Sequence, residues 1–154
     1  MSSGAKPNFG RLDYTTINGG AVAAMVKAKA AVTAIDPGLR ALVELRVSQI
    51  NGCAYCIDLH IREALTAGEA QQRLDCVSVW EECGFFDGRE MAALAWAEAV
   101  TLIGETGAPD DLYRGLVSHY CDEEIVDLTL IIAQMNAWNR LAISFHHRPE
   151  LRTK

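Results

Sequence analysis

Two cysteines three positions apart, followed by a histidine, are the residues of this chain with the strongest capacity for chemistry. Cys53 and Cys56 form a C-x-x-C pair, and His60 stands four residues after the second. On a helix turning about 100° per residue, all three fall on one face. Cys56 and His60 are then an i,i+4 pair, so the imidazole reaches the thiol. Asn51-Gly52 is a break signal just before Cys53. It predicts Cys53 at or near a helix N-terminus, where backbone N–H groups and the macrodipole favour an anion. The thiolate is the nucleophile, and a helix N-terminus with a neighbouring histidine lowers a cysteine pKa. A second cysteine one turn away is placed to resolve an oxidised partner into a disulfide. The pattern points to a redox-active dithiol.

Two plainer readings stand beside it. A C-x-x-C pair also occurs in zinc sites, which normally draw on a second ligand pair. The remaining candidates, Cys76, Cys83, His119 and Cys121, show no such spacing. The other reading is a pair of buried, inert cysteines.

The elements that must position these residues read as helices throughout. Apolar spacing predicts helices over about Asn18 to Ala34, Asp36-Pro37 to Ile50, and from Cys53 to about Ala67, where Gly68 gives a stop. Further helices are expected over about Glu69 to Cys83, Asp87 to Ile103, Pro109 to Tyr120, and Asp122 to Phe145. Asp36 and Pro37 suit an N-cap and first helical position. Asp87 and Glu90 have capping-box spacing. No run of alternating β-branched residues reads as a strand, so the expected fold is all-α, a single-domain bundle of about seven helices. Ala21, Met25, Ala28 and Val32 are expected to form the buried face of the first helix, and Met91, Leu94, Ala95, Ala99 and Leu102 that of the fifth. The last helix is apolar on most sides and is expected to be buried. Its Asn136, Trp138, Asn139 and Arg140 need partners there, either tying helices together or lining the site.

The 154 residues suit one domain with a real core, and half of them are hydrophobic. The net charge of −6 argues against nucleic acid as the main partner. The stretch Leu128 to Ala133 is too short to span a membrane. Residues 1–12 read as a flexible N-terminal tail without an apolar export signal, 13–147 as the domain, and 148–154 as a C-terminal tail, with His146 and His147 beside it read as tail residues and not as ligands. Five cysteines without a framework spacing, and no export signal, make the cytoplasm the expected compartment.

The stretch Arg46-Val47-Ser48-Gln49-Ile50-Asn51-Gly52-Cys53-Ala54-Tyr55-Cys56-Ile57-Asp58-Leu59-His60 resembles the signature of the alkylhydroperoxidase D-like (AhpD-like) proteins of the carboxymuconolactone decarboxylase superfamily. Asp127-Leu128-Thr129 and Asn136-Ala137-Trp138-Asn139-Arg140 resemble a subgroup of it, and the similarity covers about Tyr14 to Phe145. The resemblance implies an all-α fold, assembly as a homo-trimer or homo-hexamer, and thiol peroxidase activity without metal or organic cofactor. It implies that Cys56 takes oxygen from a hydroperoxide and that Cys53 resolves the sulfenic acid as a disulfide, which an external dithiol or protein reductant reopens. The helix-terminus argument alone favours Cys53 as the lower-pKa thiol. His60 would pass the proton, oriented by a carboxylate. In the best-known pattern a glutamate stands twelve residues before the first cysteine, where this chain has Ala41. Glu44, nine before it and on a similar face, is expected to take the role. Asp58 is expected to project away, and Glu63 to be solvated. Two other activities remain open: a disulfide reductase or adaptor serving a separate peroxidase, and a carboxymuconolactone decarboxylase-like lyase.

Overall fold

Asp36 and Pro37 open the helix against which most of the molecule packs. The computed structural model describes residues 8–152. Asp36 Oδ1 accepts the Leu39 N–H at 3.0 Å, and Pro37 occupies the first turn, where its missing N–H costs nothing. The ten elements that follow the same numbering are α1 (Tyr14–Ile17), α2 (Gly19–Ala31), α3 (Pro37–Asn51), α4 (Ala54–Thr66), α5 (Gln71–Cys76), α6 (Trp80–Cys83), α7 (Gly88–Thr101), α8 (Ile103–Thr106), α9 (Asp110–Val117) and α10 (Asp122–Ser144). The fold is all-α apart from one two-residue antiparallel pair, β1 (Asn8–Phe9) with β2 (His147–Arg148).

Helix α3 is buried on more than one side. Val43 and Val47 join Cys53, Cys56, Trp96, Leu128 and Ile132 in one cluster, while Leu42 and Leu45 join Ala64, Leu74, Trp80 and Leu94 in another. The two clusters hold α4, α7 and α10 around α3, each buried leucine-sized side chain contributing about 1.5–3 kcal/mol. At its end Gly52 turns left-handed, φ 72°, a conformation that a side chain would strain. The Cys53 N–H closes back onto the Ser48 carbonyl at 3.0 Å, and α4 starts one residue later. A two-residue link thus delivers Cys53 from the end of one buried helix to the head of the next.

Several segments depart from the sequence expectation. The helix expected over Glu69 to Cys83 is broken by a 3₁₀ turn, Val77–Val79, where two β-branched residues disfavour a continuous α-helix. Helix α2 buries none of its residues within the chain, so the expected inward face is not formed before Val32. Met91 lies outward on α7 and Leu102 at its C-cap, and Val126, Leu130 and Ile143 lie outward on α10. The expected N-terminal tail is paired from Asn8 onward: Gly10 N–H and Arg11 N–H donate to the carbonyls of His146 and Phe145. Residues 1–7 and 153–154 of the expected tails lie outside the described residues.

Candidate functional site

Cys53 is the N-cap of α4, and its sulfur accepts the Cys56 backbone N–H at 3.4 Å. The side chains meet as well, with Cys56 Sγ 2.6 Å from Cys53 Sγ. Both sulfurs are buried, at 1% and 3% exposure, which shields them from bulk oxidants. The Cys53 thiol is held down at about 7, first because the Cys56 S–H donates to it, with the Cys56 backbone N–H and the Asn139 amide adding to the effect against burial. The Cys56 thiol is pushed up, as the donor in that bond, by burial, and by the charge on Cys53. The pair therefore titrates as one unit in which Cys53 is the favoured site of the negative charge, as the helix-terminus argument predicts.

His60 is 1% exposed, two carboxylates meeting its Nδ1: Glu44 Oε2 at 3.2 Å and Glu63 Oε2 at 2.8 Å. A carboxylate on Nδ1 fixes the proton there and leaves Nε2 for exchange with a reacting group. Glu44 is buried, and its other oxygen faces Arg40 Nε at 3.2 Å and Lys29 Nζ at 3.4 Å. Ala41, at the position of the family's glutamate, is buried in the core behind it. The expectation for Glu63 is corrected: its stem is exposed, yet its carboxylate bonds His60, and this bond above all lowers its pKa. The i,i+3 spacing from His60 was the available signal. Asp58 does project away, pairing with Arg62 and Arg152 on the surface.

Glu44, His60 and Glu63 offer three ligand atoms within 4.8 Å of one another, and among the described residues no such group includes the cysteines. A cation held there would stand beside the Lys29 ammonium and the Arg40 guanidinium, an opposition that disfavours it. The zinc reading of the C-x-x-C pair thus lacks its second ligand pair.

Cys56 and His60 open together on a cavity of about 310 Å³, which Cys53 does not line. Its wall is mostly apolar and aromatic, formed by Tyr14, Tyr55, Met135 and Trp138, with Val22, Val26 and Lys29 of α2 on the outer side. The Trp138 Nε1 is buried without an acceptor among the described residues. Burial, with the nearby Cys56, pushes Tyr14 up to about 12, so its hydroxyl stays protonated. His147, expected in the tail, is instead part of this wall. It stacks on Tyr55 at 3.6 Å, lies 4.2 Å from the Phe9 ring, and meets the Tyr14 hydroxyl at 3.3 Å through Nδ1. Nothing local to the C-terminal sequence signals this, because it depends on the two ends of the domain meeting.

The polar residues of α10 serve both expected uses. Asn139, 0% exposed, bonds Ser48 and Asn51 on α3, while Asn136 bonds Asn51 and Thr101.

Comparison with known proteins places the chain in a group. The family model described as carboxymuconolactone decarboxylase matches residues 19–99. The uncharacterised YdfG protein of Bacillus subtilis (strain 168) is 46% identical over 116 residues, 75% of this chain and 79% of that protein. Escherichia coli (strain K12) YnjA, also uncharacterised, is 28% identical over 102 residues, and the match spans 66% of this chain and 56% of YnjA. An Agrobacterium tumefaciens crystal structure, described as a protein of unknown function and an AhpD antioxidant-defence candidate, superimposes with a TM-score of 0.89 at 38% identity, covering 92% of this chain and 99% of that one. The debrominase Bmp8 shares the fold, with a TM-score of 0.71 at 20% identity over 85% of this chain and 70% of its own.

Proposed function

Because this chain belongs to the carboxymuconolactone decarboxylase family and has the AhpD-like fold, we propose that it is a thiol-dependent hydroperoxidase working through Cys53, Cys56, His60 and Glu44. The observation that carries the reading is a dithiol of which one member, Cys56, shares a largely apolar cavity with a carboxylate-held histidine. An organic hydroperoxide enters that cavity. The charge on Cys53 moves to Cys56 when the proton between the sulfurs crosses to Cys53, and His60 relays that proton through Nε2 to the leaving oxygen as the O–O bond breaks. Cys56 thiolate attacks the outer oxygen of the peroxide. An S–O bond forms and the O–O bond breaks, and the electron pair leaves on the alkoxide, which receives the proton from the His60 imidazolium and departs as alcohol. Glu44, aided by Glu63, stabilises that imidazolium. Cys53 thiolate then attacks the Cys56 sulfenic acid. The S–S bond closes, hydroxide leaves, and a proton completes water. An external dithiol reopens the disulfide by exchange, taking the oxidation onto itself.

This order reconciles the two cysteines: Cys53 holds the resting charge and Cys56 meets the substrate. Stopped-flow mixing with an organic hydroperoxide tests it. Cys56→Ser is expected to consume no peroxide, and Cys53→Ser to stop after one equivalent as a sulfenic acid trapped by dimedone. Normal turnover by Cys56→Ser overturns the assignment. A wild-type protein that reduces disulfides of a separate peroxidase but leaves hydroperoxide untouched belongs to the adaptor class instead.

A further inference from the structure

Helix α2 stands off the core. Its inner edge is half-buried at Val22, Met25 and Lys29, while its other residues are exposed. Two voids lie against this edge. One is the cavity of Cys56 and His60, which Val22 and Lys29 border. The other is a groove of about 290 Å³. Met25, Leu141 and Phe145 are half-buried in it, and Leu12 and Ile17 stand exposed along it. Tyr14 and Val22 line both voids. Tyr14 spans the junction: its hydroxyl meets His147 Nδ1, a residue of the cavity, at 3.3 Å, and its ring lies 5.6 Å from that of Phe145, a residue of the groove.

The chemistry of the groove narrows what can fill it. None of its lining residues is charged. Apart from Tyr14 its one polar side chain, that of Asn18, already accepts the Ala21 N–H at 3.3 Å. Such a space offers water few partners and gains by taking up hydrocarbon. A neighbouring copy of the chain would rest on the exposed Leu12 and Ile17 before reaching the half-buried residues below. A hydrocarbon chain anchored in the adjoining cavity reaches them across Tyr14 and Val22. Helix α2 can yield to it, because none of its residues is fixed in the core.

We propose that this site takes long-chain aliphatic hydroperoxides: the peroxide group lies beside Cys56 and His60, and the unbranched tail crosses between Tyr14 and Val22 into the groove. An uncharged groove accepts the far end of the tail as hydrocarbon and not as a carboxylate. The reactive end rests on the hydroperoxidase reading above, whereas the tail site needs no chemistry at the sulfurs.

The test therefore begins with unreactive probes. 1-Decanol and 1-butanol are titrated into the full chain and followed by calorimetry and by the Met25 methyl resonance. A methylene fully removed from water is worth about fourfold in affinity, so decanol is expected to bind at least about tenfold more tightly than butanol, saturating at one per chain. Only decanol is expected to move the Met25 methyl. Met25→Asp, on a helix that buries no residue, is expected to remove most of the preference for decanol. Equal affinities, or a Met25 methyl that decanol leaves in place, overturn the proposal even if the variant fails to fold. A folded variant that keeps the preference overturns it too, and if that variant also lowers the mass of an oligomer the groove belongs to subunit contact. Turnover then separates this reading from the one it rests on. Decyl hydroperoxide is expected to show a KM at least about tenfold below that of ethyl hydroperoxide. Equal kcat/KM for the two removes the tail site and leaves the hydroperoxidase. Tight decanol binding with neither peroxide reduced keeps the aliphatic-chain site and removes the hydroperoxidase reading.

Discussion

The Glu44–His60–Glu63 contact gives the histidine two anionic partners with different surroundings. Glu44 is buried and meets His60, Lys29 and Arg40, whereas Glu63 has an exposed stem. Replacing the buried partner removes more support from the imidazolium, because solvent screens the exposed one. Glu44→Gln is therefore expected to lower kcat about 10²-fold and Glu63→Gln about 10-fold or less, measured as steady-state hydroperoxide reduction. A second expectation follows from the low thiol. The reactive pair is a monoanion, so protonation of Cys53 removes it; alkylation by iodoacetamide should speed up as pH rises through about 7 and fall off below it. At this scale the cysteines and His60 were legible from helical spacing, and Glu44 from the resemblance, one helical turn from the position of the family's glutamate. Glu63 was legible only as an i,i+3 neighbour of His60, because the sequence does not show that its carboxylate folds back. His147 was hidden for another reason: its neighbours Tyr55 and Phe9 are far away along the chain.

At the scale of elements, α2 is the weakly held piece of the site. It buries no residue in the chain, yet Val22, Val26 and Lys29 form one wall of the cavity. Its end is secured by Arg40, which donates to the Val32 carbonyl at 2.9 Å and the Lys29 carbonyl at 3.2 Å, while Asp127 Oδ2 accepts the N–H groups of Thr33 and Ala34 at 3.0 and 2.8 Å. Arg40→Ala is expected to cost about 1.5–3 kcal/mol in denaturant unfolding. Amide exchange in α2 should accelerate while that of α3 stays slow. The peroxide KM should rise more than kcat falls, since the wall loosens before the thiols do. Starts and stops such as Asp36-Pro37 and Asp87–Glu90 were readable from local chemistry, and both caps form. The interior of the 69–83 segment was less so, because the local preference of Val77 and Val79 acts together with the packing of Val77 and Trp80 in the cluster with Leu42, Leu45 and Leu94.

As a whole molecule, the chain carries more apolar surface than its fold consumes. Ile17 and Val26 are 66% and 55% exposed near α2, and α2 itself is rich in alanine with two lysines. An apolar helix left outside normally meets another surface. Light scattering after size-exclusion chromatography is expected to give a homo-oligomer well above the 16.8 kDa of one chain, and a charge placed at Ile17 should lower that mass. No described helix is long and apolar enough to cross a membrane, so a bilayer-spanning role for these apolar residues is excluded for the helices. The all-helical class was plain from periodicity, but the outward side of α2 was not, because hydrophobicity does not say which neighbour will cover it. Both sulfurs, finally, are buried, and among the described residues that of Cys56 borders the aromatic cavity. Electrons must arrive by the same narrow door as the oxidant, so a slender reductant with its thiols on a flexible arm has the advantage, and a bulky redox protein would have to wait for the doorway to widen.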